Sequence, residues 1–148
     1  MLALAAAGGG TSIAADYDAS VTGTEPESDD VQLRTVERRP GHWYVRIIEL
    51  DLSIRCENGR EHYVLASEGD VSPRELPIRR ARFRGTLRLV YLDLEPFLAS
   101  ATYVVSGRFG RQRRTGRRLR GRVSVRTVGE GGTECRGIAR FAATRPRV

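Results

Sequence analysis

Fifteen residues, Arg108 to Arg122 (RFGRQRRTGRRLRGR), contain eight arginines. A guanidinium presents five N–H donors in a flat fork, so arginines held side by side can grip carboxylate, sulfate or phosphate groups. All 25 basic residues of the 148-residue chain are arginine, and the net charge is +7. Such a surplus points to an acidic partner. The complete absence of lysine points to a second source, the codon bias of a GC-rich genome. Cys56 and Cys135 are the other reactive pair. His42 and His62 are the only histidines, too few with two cysteines to suggest a transition-metal site.

Catalytic signatures are missing. The chain has no G-x-S-x-G elbow, no phosphate-binding glycine loop and no H-E-x-x-H. Ser106-Gly107 lacks the glycine that an elbow needs before the serine. Asp93 and Glu95, two apart, have the spacing of a glycosidase pair or of calcium ligands. Two acids beside a proline turn are ordinarily solvated or paired with arginine. The expectation is therefore no catalytic residue, no metal and no cofactor.

The elements that position the arginines and cysteines are strands. Apolar residues alternate with period two and show no helical spacing. Expected strands are 31–37, 42–56, 61–67, 78–94, 101–109, 117–128 and 133–145, about seven in all. In 42–56, Ile48, Leu50, Leu52, Ile54 and Cys56 share a face, but Val45 and Ile47 are out of phase, so a bulge is expected near Ile47-Ile48. Asn58-Gly59 signals a hairpin, since both residues tolerate positive φ. Residues 68–77, with Gly69, Pro73 and Pro77, read as a loop. Each strand has one apolar face to bury, so the expected fold is an antiparallel β-sandwich, with a small β-barrel as the alternative.

This periodicity sorts the arginines. Arg80, Arg82, Arg84 and Arg88 fall opposite the apolar face of one strand, Arg118, Arg120, Arg122 and Arg126 opposite that of another, and Arg136 and Arg140 on a third. Only residues 110–116 of the basic run remain as a loop. If the three strands share a sheet, their outer faces form a basic plane, the candidate site for a polyanion. The alternative is a solvated face. Aromatic residues for base stacking are absent from these faces, which disfavours nucleic acid.

Both cysteines fall on the apolar phase, at the end of one strand and the start of the last. With signs of export, this favours a disulfide over two buried thiols. The closed loop of 79 residues corresponds to about 4.5 kcal/mol in the chain-entropy model. Trp43 precedes both cysteines, whereas the immunoglobulin pattern has it between them. It reads as a core or edge packing residue.

Charge divides the chain. Residues 1–77 carry 7 arginines and 14 acids, and residues 78–148 carry 18 arginines and 4 acids. Residues 1–15 read as the remnant of a signal peptide, with small residues around Ser12-Ile13-Ala14. Residues 16–30, rich in acids and turn formers, read as a disordered linker. Residues 31–148 form the single domain. No stretch approaches the length of a transmembrane helix.

The elements Tyr103, Val105, Gly107 and Phe109, then Leu119, Gly121 and Val123, then Cys135, Gly137 and Phe141, together with IRCENGR (54–60), resemble a group of uncharacterised exported proteins of high-GC Gram-positive bacteria. That resemblance covers about 100 residues. The group often has Trp where this chain has Phe141. It implies a secreted β-sandwich with no established activity. The functional expectation is a non-catalytic, monomeric domain, extracellular or in the cell envelope. Its expected role there is binding or structural; the second alternative is an Arg-rich face that binds an acidic envelope glycan or an anionic lipid surface. A small hydrolase with an unrecognised site is the third alternative.

Overall fold

The computed structural model describes residues 16–22, 30–90, 98–110, 118–129 and 131–144. The period-two pattern becomes the strands β1 (Asp16–Thr22), β2 (Asp30–Arg39), β3 (His42–Cys56), β4 (Glu61–Ser67), β5 (Val71–Ser72), β6 (Glu75–Pro77), β7 (Arg82–Leu89), β8 (Leu98–Phe109), β9 (Arg118–Gly129) and β10 (Glu134–Thr144). The fold is all-β and antiparallel, as expected. It does not divide into the two layers of a sandwich. All the strands belong to one sheet, in the order β4-β3-β2-β1-β10-β9-β8-β7-β5 with β6 on β3. The sheet curls into a half-barrel, an arrangement compatible with the barrel alternative.

The reason lies in β3, fifteen residues long. Along its length it pairs with β2, β6, β4 and finally β10. A strand that changes partners joins what would otherwise be two layers. Gln32 stands opposite Glu49 and Leu33 opposite Ile47. Ile48 is thus the extra residue of the expected bulge, which bends the strand and shifts its phase. Val45 and Ile47 are buried before it, and Leu50, Leu52, Ile54 and Cys56 after it. Ile48 itself is only half-buried.

Three segments differ from the sequence reading. Within the expected linker, Asp16–Thr22 is a strand, hydrogen-bonded to β2 and to β10. Its alternation is local: Tyr17 stands opposite Leu33, Ala19 opposite Val31 and Val21 opposite Phe141. A composition average over fifteen residues conceals that pattern. Residues 1–15 and 23–29 lie outside the described residues. In the expected loop, Val71 and Leu76 are buried. β5 pairs with β7 and β6 with β3, so residues 71–77 bridge the two ends of the curled sheet. Strand 78–94 begins later than the alternation suggests, because Arg79–Arg82 is a tight turn. Arg79 N donates to Arg82 O (2.8 Å) and Arg82 N to Arg79 O (3.0 Å). The two central residues take left-handed backbone, φ 52° at Arg80 and 61° at Ala81. The Asn58-Gly59 hairpin forms where expected, but only Gly59 has positive φ (83°). Gly59 N donates to Cys56 O, and the Asn58 side-chain oxygen accepts from Arg60 N.

One continuous core lines the inner face of the sheet. Across four strands the register Phe83–Gly107–Gly121–Phe141 sets a ring on either side of two adjacent glycines. The Phe83 ring occupies the space a Cβ would need at Gly107, and the Phe141 ring does so at Gly121. Large rings fill the inner face where the backbone carries no side chain, a device that lets a sheet curve without leaving a void. Phe83 and Phe109 pack tilted, with ring centroids 6.0 Å apart. Cys56 and Cys135 stand directly opposite in the β3–β10 register and form the expected disulfide, with both residues buried.

Candidate functional site

The division of charge along the chain becomes a division across the sheet. Of the strands of the acidic half, β1 to β4 and β6 lie contiguously, and those of the basic half, β7 to β10, lie beside them, with the short β5 at the far edge on β7. The three arginine-bearing strands are therefore in one sheet, with β8 between β7 and β9.

Register turns their outer faces into rows. Arg82 stands opposite Arg108, and Arg108 opposite Arg120. Two residues along, Arg84 stands opposite Ser106, and Ser106 opposite Arg122, which in turn faces Arg140. Further along, Arg88 is level with Thr102, Arg126 and Arg136. Neighbouring strands lie roughly 4.8 Å apart, and alternate residues along a strand roughly 6.7 Å apart. Guanidinium groups at such spacing repel one another and attract a shared counter-anion.

The ends of this face differ. Glu134 accepts from Arg126 Nε (2.8 Å) and Arg136 Nη2 (2.7 Å). Both bonds hold its carboxyl below the usual carboxylate range, and Arg126 and Arg136 are correspondingly occupied. At the other end, Arg82, Arg84, Arg108, Arg120 and Arg122 have no ion pair with any described acidic residue. There the surface forms an open depression of about 780 Å³, lined by those five side chains with Ser106, Gly107 and Gly121, and walled by Pro77 and Arg79.

Of the eight arginines expected on the face, Arg82, Arg84, Arg88, Arg118, Arg120, Arg122 and Arg126 are on it, all exposed. Arg80 is not, because it sits in the turn before β7. Arg79 and Arg108 line the depression but were not among those eight. Arg108 was legible, since the phase of Tyr103, Val105 and Gly107 puts it on the outer side. Arg79 was not, because its place depends on the tight turn. Arg111, Arg113 and Arg114, expected in a loop, and the acids Asp93 and Glu95 lie outside the described residues. His42 is exposed at the start of β3, and His62 is half-buried opposite Ile54. Among the described residues no three His, Cys, Asp or Glu side chains gather as metal ligands.

The acidic strands carry a smaller cluster. Asp30 stands directly opposite Asp51, and Gln32 opposite Glu49. Desolvation, then a hydrogen bond to Glu49 and the charge of Glu49, push the Asp51 carboxyl up to about 7, although Ala66 N donates to it. Three acids elsewhere pair with arginine. Glu75 is held below its ordinary range by Arg38, which it binds through both oxygens. Glu68 pairs with Arg46 and Glu61 with Arg55.

Among the described residues no helix is long and apolar enough to cross a membrane. No family model and no curated protein matches the chain. A solved structure similar to it is that of a redesigned β-barrel, 8% identical, covering 95% of this chain and 96% of that one with a TM-score of 0.42.

Proposed function

We propose that this protein is an exported, non-catalytic domain that binds an acidic polymer or an anionic surface of the cell envelope through the outer face of β7, β8 and β9. The observation that carries the reading is the register of Arg82–Arg108–Arg120 beside Arg84–Ser106–Arg122, five arginines without described acidic partners. The disulfide supports an oxidising compartment, and so does the resemblance to exported proteins of high-GC bacteria. Nucleic acid is disfavoured, because the exposed outer positions of these strands carry no aromatic side chain on which bases could stack.

Binding of fluorescent heparin and of vesicles rich in anionic lipid, measured against salt, tests this. Each of five contacts releases counterions, so log Kd against log salt should have a slope near 4 in magnitude. Reversing Arg84, Arg120 and Arg122 to Glu should abolish binding with the fold intact, since all three side chains are exposed. Undiminished binding by that variant, or no binding by the wild type at low salt, refutes the proposal. Reversal of Arg111, Arg113 and Arg114 should matter less. If it alone abolishes binding, the loop is the binding arm.

A further inference from the structure

We propose that the depression between Arg84 and Arg122 is a subsite for one tetrahedral oxyanion, a phosphate or sulfate group, seated over the hydroxyl of Ser106. This rests on the binding reading above and specifies what the face grips. In the two rows at this end of the face, five of the six positions are arginine, and the sixth, at the centre of its row, is Ser106. Arg84 and Arg122 stand directly opposite it on either side, Arg108 lies two residues along its own strand, and Arg82 and Arg120 lie diagonally.

The short side chain is what leaves room. An arginine at position 106 would fill the depression with a sixth like charge, whereas serine leaves it open with a donor at its base. Ser106 is half-buried, and no described residue hydrogen-bonds to its hydroxyl. Gly107 and Gly121, opposite each other, add bare backbone to the lining.

Donor geometry selects the ligand's shape. A planar carboxylate offers two oxygens, and one guanidinium fork satisfies both in its own plane. Here forks come from two flanking strands and a hydroxyl from the strand between them. That set suits three oxygens that do not share a plane, as on a phosphate or sulfate group. The volume of about 780 Å³ exceeds one such group, so the neighbouring units of a polymer can lie in the same depression.

The test uses the full chain, with tripolyphosphate, inorganic sulfate and citrate as probes, by calorimetry at low salt. Ser106→Ala should weaken tripolyphosphate and sulfate about tenfold, as expected for one hydrogen bond to a charged group, and change citrate less than twofold. Ser106→Thr, which restores the hydroxyl, should recover most of the loss, and thermal melts confirm that each variant folds. Polyphosphate and dextran sulfate of equal length then distinguish the sources. Preference for the first assigns a phosphate-bearing polymer, and preference for the second a sulfate ester, either consistent with the subsite. Equal losses for citrate and tripolyphosphate, or no loss for either, overturn the subsite and leave the basic-face reading standing. If the wild type binds none of the probes and neither polymer, the basic-face reading itself falls.

Discussion

Replacing Cys56 and Cys135 together by alanine removes a cross-link between residues 79 apart. The cross-link acts chiefly on the unfolded chain, where closing that loop excludes extended conformations. The chain-entropy relation gives about 4.5 kcal/mol. Native contacts add little to the loss, since β3 and β10 meet at only two paired positions, Cys56–Cys135 and Arg55–Arg136. For a chain of this size the expected fall in Tm is ~15 °C. Urea unfolding followed by tryptophan fluorescence measures the free energy, with Trp43 as the only reporter, and calorimetry measures Tm. The m-value should rise as well, because the unlinked unfolded state exposes more surface. A loss below about 1 kcal/mol, with m unchanged, would refute the reasoning. The unfolded chain would then be compact around the β3–β10 junction even without the bond. Recovery of two free thiols from exported protein under alkylating, non-reducing conditions would remove the support for an extracellular location.

Stability should also depend on pH through Asp51. Its folded pKa, about 7, lies above its unfolded value, so the native state holds the extra proton between pH 4 and 7. Stability is then full below the unfolded pKa and falls as pH rises through 7. The side chain is partly exposed, so solvent screening limits the loss to about 1 kcal/mol. Asp51→Asn should flatten the melting temperature between pH 5 and 8, and an unchanged slope would exclude Asp51 as its source. Gly121→Ala should destabilise by ~2 kcal/mol in urea, since a Cβ there meets the Phe141 ring and the Ser106 carbonyl; a neutral result would mean that the sheet opens freely at this row. Arg80→Asn with Ala81→Gly should stabilise by about 1 kcal/mol, because both positions then tolerate their left-handed backbone. The same pair should leave heparin affinity nearly unchanged, as Arg80 lies off the face. Removing residues 1–15 should be harmless, whereas deletion through residue 30 takes out β1 and should unfold the domain, an outcome visible by circular dichroism.

Strand identity was legible because a half-buried strand must alternate. The phases of Leu119, Val123 and Val125 against Arg118, Arg120 and Arg122 needed no partner to be seen, and the break at Val45–Ile48 located the bulge. The cysteine pair was legible for the same reason, both residues falling on the buried phase. Alternation, however, specifies only which side of a strand is wet. It does not say which strands are neighbours. Strand order brought Arg82, Arg108 and Arg120 into one row, placed Ser106 between Arg84 and Arg122, and left Glu134 to occupy Arg126. Strand order also decided half-barrel over sandwich, through a β3 that exchanges partners and a segment 71–77 hydrogen-bonded at both ends of the sheet. Arg80 left its expected face because the Arg79–Arg82 turn takes left-handed backbone, and β1 emerged from an acidic stretch because hydrogen bonds to distant segments determined the backbone there. Local sequence dictates the burial pattern of each strand, because side chains respond to their immediate backbone. The site is non-local, assembled by pairings between residues far apart in the chain, and only the closed set of backbone hydrogen bonds selects them.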